Sequence, residues 1–180
     1  MSSYAAFLRG MNVGGHRLTN EELRGHFAAM GFAEVASFRA SGNVIFAAPA
    51  GAPDDVAARI EQGLAEALGY EVPTFIRSSA QMRTIAASQP FTADRLAASA
   101  GKLQVALLAA PPSRDTREAV LALGGDSDAL AFGECELYWL PSGGLLDSPL
   151  DLKAVAALLG VITIRTKNTI EQIAAKHFAD

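Results

Sequence analysis

The chain has 180 residues, half of them hydrophobic and 19% charged, with a formal net charge of −4 and a mean hydropathy of +0.20. That composition excludes a disordered chain and, with no long Lys/Arg run, a nonspecific binder of the nucleic-acid backbone. A single cysteine, Cys135, leaves no internal disulfide, and no apolar run reaches the ~18 residues of a membrane span, so the expected setting is the reducing cytoplasm.

In chain order, the first segment is the richest. Residues 4–15 read YAAFLRGMNVGG: an apolar strand at about 4–9 runs into Arg9 and a loop containing Gly10, Asn12, Gly14 and Gly15. The opening residues have no basic stretch before the apolar ones, so a signal peptide is not expected. Thr19 followed by Glu22 is a capping box opening a helix over about 20–30, with Leu23, Phe27 and Met30 at helical spacing. Gly31 and Gly69 stand where helix C-caps belong. Strands follow at about 34–40 and 43–48, joined by Ser41-Gly42-Asn43, which reads as a hairpin turn. A helix over 54–68, entered at Pro53, a strand over 72–77 and a helix over 80–88 complete the first half. The stretch from Gln89 to Gly101 reads as a connection, partly helical at 93–99.

The order then recurs. A strand at 103–109, a helix at 114–123 and strands at 128–132 and 135–140 come first, with Gly133-Glu134 in the place of the hairpin turn. A helix at 150–159 entered at Pro149, a strand at 161–165 and a helix at 168–178 follow. The repeat is visible residue by residue: IRSSAQMRTIAA from Ile76 aligns without a gap to IRTKNTIEQIAA from Ile164, at an offset of 88. Each half therefore reads as β-α-β-β-α-β plus one extra helix. The expected fold is α+β, a tandem duplication of a ferredoxin-like unit with antiparallel sheets, repeat 1 over 1–91 and repeat 2 over 92–180.

This topology has strand order 4-1-3-2. It gathers the end of the first strand and the turn between the second and third at one end of the first sheet. Arg9, Gly10, Asn12, Gly14, Gly15, Arg39, Ser41 and Asn43 are thus the candidate site. An arginine fork beside glycine-rich backbone suits an anion. The second half offers Ala109, Ala110, Pro111, Pro112, Gly133 and Glu134 at the matching end, which is apolar and acidic. Arg77 and Arg165 end fourth strands and belong to the opposite edge. Arg165, Asn168 and Thr169 form a secondary candidate set, against which stands the plainer reading of a strand end and helix cap, with Thr166 or Asn168 as cap.

Other signals read as structural. Gly10-x4-Gly15-His16-Arg17 is a near miss of the P-loop, lacking its lysine and hydroxyl, and Glu21 and Glu22 already occupy the positive end of the next helix. His16, His26 and His177 lack ligand spacing, so no metal is expected; no cofactor motif occurs. Cys135 reads as a small packed residue, and Asp126 and Asp128 as solvated charges. Of Tyr138 and Trp139, which alternate on a strand, one is expected to pack inward and the other to face a partner or solvent.

The blocks LRGMNVGG, LRGHFAAMGF, SGNVIF and TIRTKNT, in this order and spacing, resemble the bacterial family DUF1697. The resemblance implies a repeated ferredoxin-like fold and no established activity. Its matching positions are Arg9, Gly10, Asn12, Gly14, Gly15, Ser41, Gly42, Asn43, Arg165, Asn168 and Thr169. The chain departs from the family pattern at Lys167, where an aromatic is common, and at Asp147-Ser148-Pro149, where a Ser-Lys pair is frequent. Three functional classes are expected. The first is a binding protein for a small anionic molecule, and the second an acylphosphatase-like hydrolase of phosphate or acyl-phosphate, using Arg9 and Asn43 by fold-level analogy. The third is a non-enzymatic interaction protein or homodimer using an exposed sheet. Neither membrane binding nor nonspecific nucleic-acid binding is expected.

Overall fold

A computed structural model describes residues 1–39, 42–49, 51 and 53–179. The chain forms two compact units: Met1–Thr84 with the C-terminal stretch from Ile173, and Ile85–Gln172.

The first unit contains β1 (Ser2–Leu8), α1 (Asn20–Ala29), β2 (Ala33–Ser37), β3 (Asn43–Ala48), α2 (Pro53–Leu68) and β4 (Thr74–Ser78), then most of α3 (Ser79–Ala87). Its sheet runs β2-β3-β1-β4, antiparallel throughout. Val56, Ile60 and Leu64 recur every fourth residue of α2 and are buried, so the helix lays one stripe on the sheet. Alternate residues of β1 and β3, Tyr4, Ala6, Leu8, Val44, Phe46 and Ala48, meet that stripe together with Leu23 and Phe27 of α1. The rings of Phe27, Phe32 and Phe46 lie 4.7–5.8 Å apart in tilted pairs. The intervening residues Ala5, Phe7, Ile45 and Ala47 are buried as well. Both faces of the central strands are therefore buried.

The second unit contains α4 (Ala93–Ala98), β5 (Gln104–Leu108), α5 (Arg114–Leu121), β6 (Ala129–Phe132), β7 (Glu136–Leu140), α6 (Leu152–Leu159), β8 (Ile162–Thr166) and the start of α7 (Lys167–His177). Its sheet runs β6-β7-β5-β8, again antiparallel. Ala106, Leu108, Val120, Leu137, Trp139 and Val155 pack together. The protein is thus a mixed α+β chain with two four-stranded antiparallel sheets and two similar halves, both with the expected strand order. Among the described residues, no helix is long and apolar enough to cross a membrane.

Some boundaries differ from expectation for local reasons. β2 stops at Ser37 because Phe38 N–H already donates to Asn43 O (3.0 Å), which closes the hairpin. α6 begins at Leu152 because its cap is Asp151, whose carboxylate accepts from the amides of Lys153 and Ala154, so Pro149 lies outside the helix. Tyr138 and Trp139 are both 2% exposed: the sheet is buried on both faces, so neither ring turns to solvent.

Candidate functional site

The loop after β1 is held between two neighbours. Leu8 N–H donates to Gly42 O (2.8 Å) and Arg9 N–H to Pro73 O (2.9 Å). The arginine's backbone is therefore fixed between the hairpin turn and the entry to β4, while its side chain is exposed. Met11 folds back onto the turn. A Cβ placed on Gly42 would lie 2.9 Å from Met11 Cγ and 3.0 Å from Leu8 Cβ, at φ +75°, so only glycine fits. Asn12 sits at φ 61° and its Oδ1 accepts from Leu18 N–H (2.7 Å), closing the loop on itself. Asn20, at the start of α1, donates from Nδ2 to Arg39 O (2.9 Å). Loop, helix entry and turn therefore share one end of the first sheet, as the strand order predicts.

At this end Arg9, Gly10, Asn12, Gly14, Gly15 and Arg39 are all exposed. Gly10, Gly14, Gly15, Asn12 and Arg39 all have positive φ. Around Gly10, Gly14 and Gly15 the space is open, since a Cβ would meet nothing within 4 Å. Their glycine identity follows from conformation rather than crowding. For Arg39, at φ 57°, the left-handed region costs roughly 1–2 kcal/mol. Residues held in such conformations cluster at binding sites and switch regions.

Two expected residues behave differently. Asn43 is buried, 4% exposed, and its Nδ2 donates to Phe38 O (3.1 Å). It holds the hairpin together instead of facing a ligand, contrary to its place in the expected site. Ser41 lies outside the described residues. His16 packs its ring 4.1 Å from that of Tyr70, a structural contact.

The secondary set lies in the second unit. Arg165 is half-buried and its Nη1 donates to Thr163 Oγ1 (2.8 Å) and Ile164 O (2.9 Å). Burial pushes its guanidinium down to about 10, still charged at neutral pH. Its counterpart Arg77 is 3% exposed and donates from Nη1 to Ile76 O (2.8 Å). Across their sheets Arg165 pairs with Val105 and Arg77 with Ala5, away from the C-terminal ends of β5 and β1. Thr169 is buried and its N–H donates to Thr166 Oγ1 (3.2 Å), so Thr166 caps α7. Asn168 is exposed and its Oδ1 accepts from Gln172 Nε2 (3.4 Å).

The sequence reading missed Asp128. It is 2% exposed, not solvated. Its carboxylate accepts from Trp139 Nε1 (2.9 Å), Ser142 N–H (3.0 Å) and the Ser148 hydroxyl. Desolvation works against the charge, but these donors outweigh it and hold the carboxyl below its ordinary value. The signal was Trp139: a buried indole N–H needs an acceptor. Lys167 is also buried and donates from Nζ to Ala86 O (2.7 Å) and Glu171 (2.8 Å). One groove of about 380 Å³ lies between α2 and the entry to β4, lined by Glu61, Gln62, Glu71 and Pro73. Another of about 240 Å³ is lined by Arg95, Ser99, Asp126 and Ser142. Neither involves the loop after β1.

Fold and loop define a class: an α+β protein of two similar halves whose first half carries an elaborated, glycine-rich loop beside an exposed arginine. The chain belongs to the family described as "Protein of unknown function (DUF1697)", whose model matches residues 1–138. Among solved structures it is similar to that of the conserved bacterial protein SP0830 from Streptococcus pneumoniae, with 21% identity, 97% of each chain covered and a TM-score of 0.71. That likeness concerns the fold. No curated protein matches the chain.

Proposed function

We propose that the protein binds a small anionic molecule at the end of β1, through Arg9, Arg39 and the backbone of Gly10, Asn12, Gly14 and Gly15, with Ser41 as a further candidate and Asn43 holding the hairpin. The reading rests on one observation: a run of left-handed residues, open to solvent, flanks an arginine whose backbone is fixed on both sides. A charge-assisted hydrogen bond is typically worth ~1.5–3 kcal/mol, so Arg9 carries much of the affinity. Phosphate and carboxylate compounds should raise the melting temperature of the wild type at millimolar concentration. Arg9→Ala should abolish the rise, and Arg9→Lys should keep only part of it, because the fork is lost. No stabilisation of the wild type by any anion would sink the reading. Hydrolysis of an acyl-phosphate is the second reading, and it asks Asn43 to position water from a buried, hairpin-bonded amide. An assay of acyl-phosphate turnover separates the two.

The same proposal takes each half as a ferredoxin-like copy, with repeats over 1–91 and 92–180. Superposition of 1–88 on 102–178 in an experimental structure tests it; a different strand path in either half ends it.

A further inference from the structure

The groove of about 240 Å³ that Arg95 and Asp126 line lies wholly within the second unit. Its floor is apolar. Ala129 and Leu140 pair across β6 and β7, are 4% and 3% exposed, and line the groove with Ala98 of α4. Its walls are tied together. Ser99, at the end of α4, donates its hydroxyl to Pro141 O (2.5 Å) and accepts from Gly101 N–H (3.0 Å). Ala100 N–H donates to Ser142 O (3.4 Å), and Ser142 N–H donates in turn to the buried Asp128 (3.0 Å). The end of α4, the entry to β6 and the loop after β7 are thus held in place before any ligand arrives, which spares the ordering cost of binding. Two of the lining side chains stand apart from this network. Arg95 and Asp126 are exposed and oppositely charged, and neither side chain makes a hydrogen bond or ion pair among the described residues. The other arginines of this unit are engaged: Arg114 with Glu118, Arg117 with Gly133 O and Glu134 O, and Arg165 with Thr163.

We infer that this groove holds a small zwitterion, a free α-amino acid with a short side chain. The Arg95 fork matches the α-carboxylate, and the Asp126 carboxylate accepts from the α-ammonium group. The hydroxyls of Ser127 and Ser142, at the same groove, can donate to the first and accept from the second. The ligand's side chain rests on Ala98, Ala129 and Leu140. The volume falls below the ~300–1,000 Å³ of sites for drug-sized ligands, which suits a molecule of this size. One charge alone is not enough: a simple anion would meet Asp126, and a simple amine would meet Arg95. The site lies in the second half and does not rest on the anion reading of the loop after β1.

The test is an amide NMR titration of the full chain with L-alanine, beside acetate, ethylamine and L-alanine methyl ester. L-alanine should shift the amides of Ser127 and Ser142. The other three should each bind about tenfold more weakly, the equivalent of one lost charge-assisted contact. Arg95→Gln and Asp126→Asn, both at exposed positions, should each weaken L-alanine by about the same factor. Arg114→Gln, whose guanidinium Glu118 already engages, should leave it unchanged. In Arg95→Gln, L-alanine and its methyl ester should bind alike, because the ester lacks the group that Arg95 meets. A purely structural role for Arg95 would preserve the difference between them. L-alanine that binds no more tightly than acetate, or a preference for L-alanine over its ester that survives Arg95→Gln, overturns the inference. So does a groove that takes no L-alanine at millimolar concentration.

Discussion

The two halves close the same end of the same sheet with different chemistry. Leu8 N–H donates to Gly42 O in the first half and Leu108 N–H to Cys135 O in the second, so Gly42 and Cys135 hold corresponding places. In the first half Met11 fills the space above the glycine, and eleven residues separate β1 from α1. In the second half five separate β5 from α5, and Cys135 fills its own space, its thiol pointing to Leu108 O at 3.3 Å. Equal strand order therefore does not mean equal loop chemistry. The short loop of the second half, AAPPS, has no left-handed residue; the long loop of the first half exposes left-handed backbone and an arginine. Any site that depends on that loop belongs to one half.

The largest expected effect breaks the second half at its own anchor. Asp128 ties Trp139, Ser142 and Ser148 together, and hydrogen bonds to a charged group are worth ~1.5–3 kcal/mol each, less the cost of burying the charge. Asp128→Ala should lower the unfolding free energy by about 3 kcal/mol, read by urea denaturation. Because the folded carboxyl titrates below its ordinary 3.8, its contribution is whole above that value and disappears as pH falls through the lower folded value. The mutant and wild type should therefore converge in acid and separate at neutral pH. A constant gap down to pH 2 would show that the charge is not what matters.

The next effect sharpens the comparison of corresponding residues. Gly42→Ala places a Cβ against Met11 and Leu8 at positive φ and should cost about 2–3 kcal/mol. Cys135→Ala, which removes only a small buried sulfur, should cost about 1 kcal/mol. Adding Met11→Ala to Gly42→Ala should recover part of the loss, because it removes one of the two collisions. If the double variant is less stable than the sum of the singles, the packing of Met11 on Gly42 is not the constraint.

Much of this architecture is legible in the sequence, because it is written in local chemistry. The Thr19–Glu22 box, the largely apolar runs of β3 and β7 and the gap-free match from Ile76 to Ile164 are all read over a few residues. What escapes is tertiary. Asp128 looks like any loop carboxylate until β7 and the 141–148 loop bring three donors to it. Asn43 looks like a turn residue available to a ligand until the strands bury it. Met11 carries no motif; its place above Gly42 depends on how the loop folds back. Arg95 and Asp126 come to one groove from two different segments, and no periodicity announces it.

A smaller effect concerns the long loop itself. Asn12 combines a left-handed backbone with a side-chain acceptor for Leu18 N–H. Asn12→Ala loses both advantages and should cost about 1–2 kcal/mol, whereas Asn12→Gly keeps the backbone and should cost less. Equal losses in the two variants would locate the whole effect in the hydrogen bond.

The smallest effect compares the helices that these loops enter. Thr19 caps α1 with a complete box: its hydroxyl accepts from Glu22 N–H, and Glu22 Oε2 accepts from Thr19 N–H (2.8 Å) and from the Thr19 hydroxyl. Ser113 caps α5 by accepting from Thr116 N–H (3.2 Å) and donating to the Thr116 hydroxyl, a pair with no titrating group. Either cap replaced by alanine should cost about 1 kcal/mol at neutral pH. The pH dependence separates them. The Glu22 carboxyl is held below 4.5, first by the Thr19 amide and then by its hydroxyl, so its share of the box is present above 4.5 and fades as pH falls through the lower folded value. The cost of Thr19→Ala should therefore shrink in acid, while the cost of Ser113→Ala stays level. Unfolding midpoints of the two variants and the wild type, followed from pH 7 to pH 3, decide it. Parallel curves would mean that the Glu22 carboxylate adds nothing to the entry of α1, and that the two halves cap their helices by the same neutral bond.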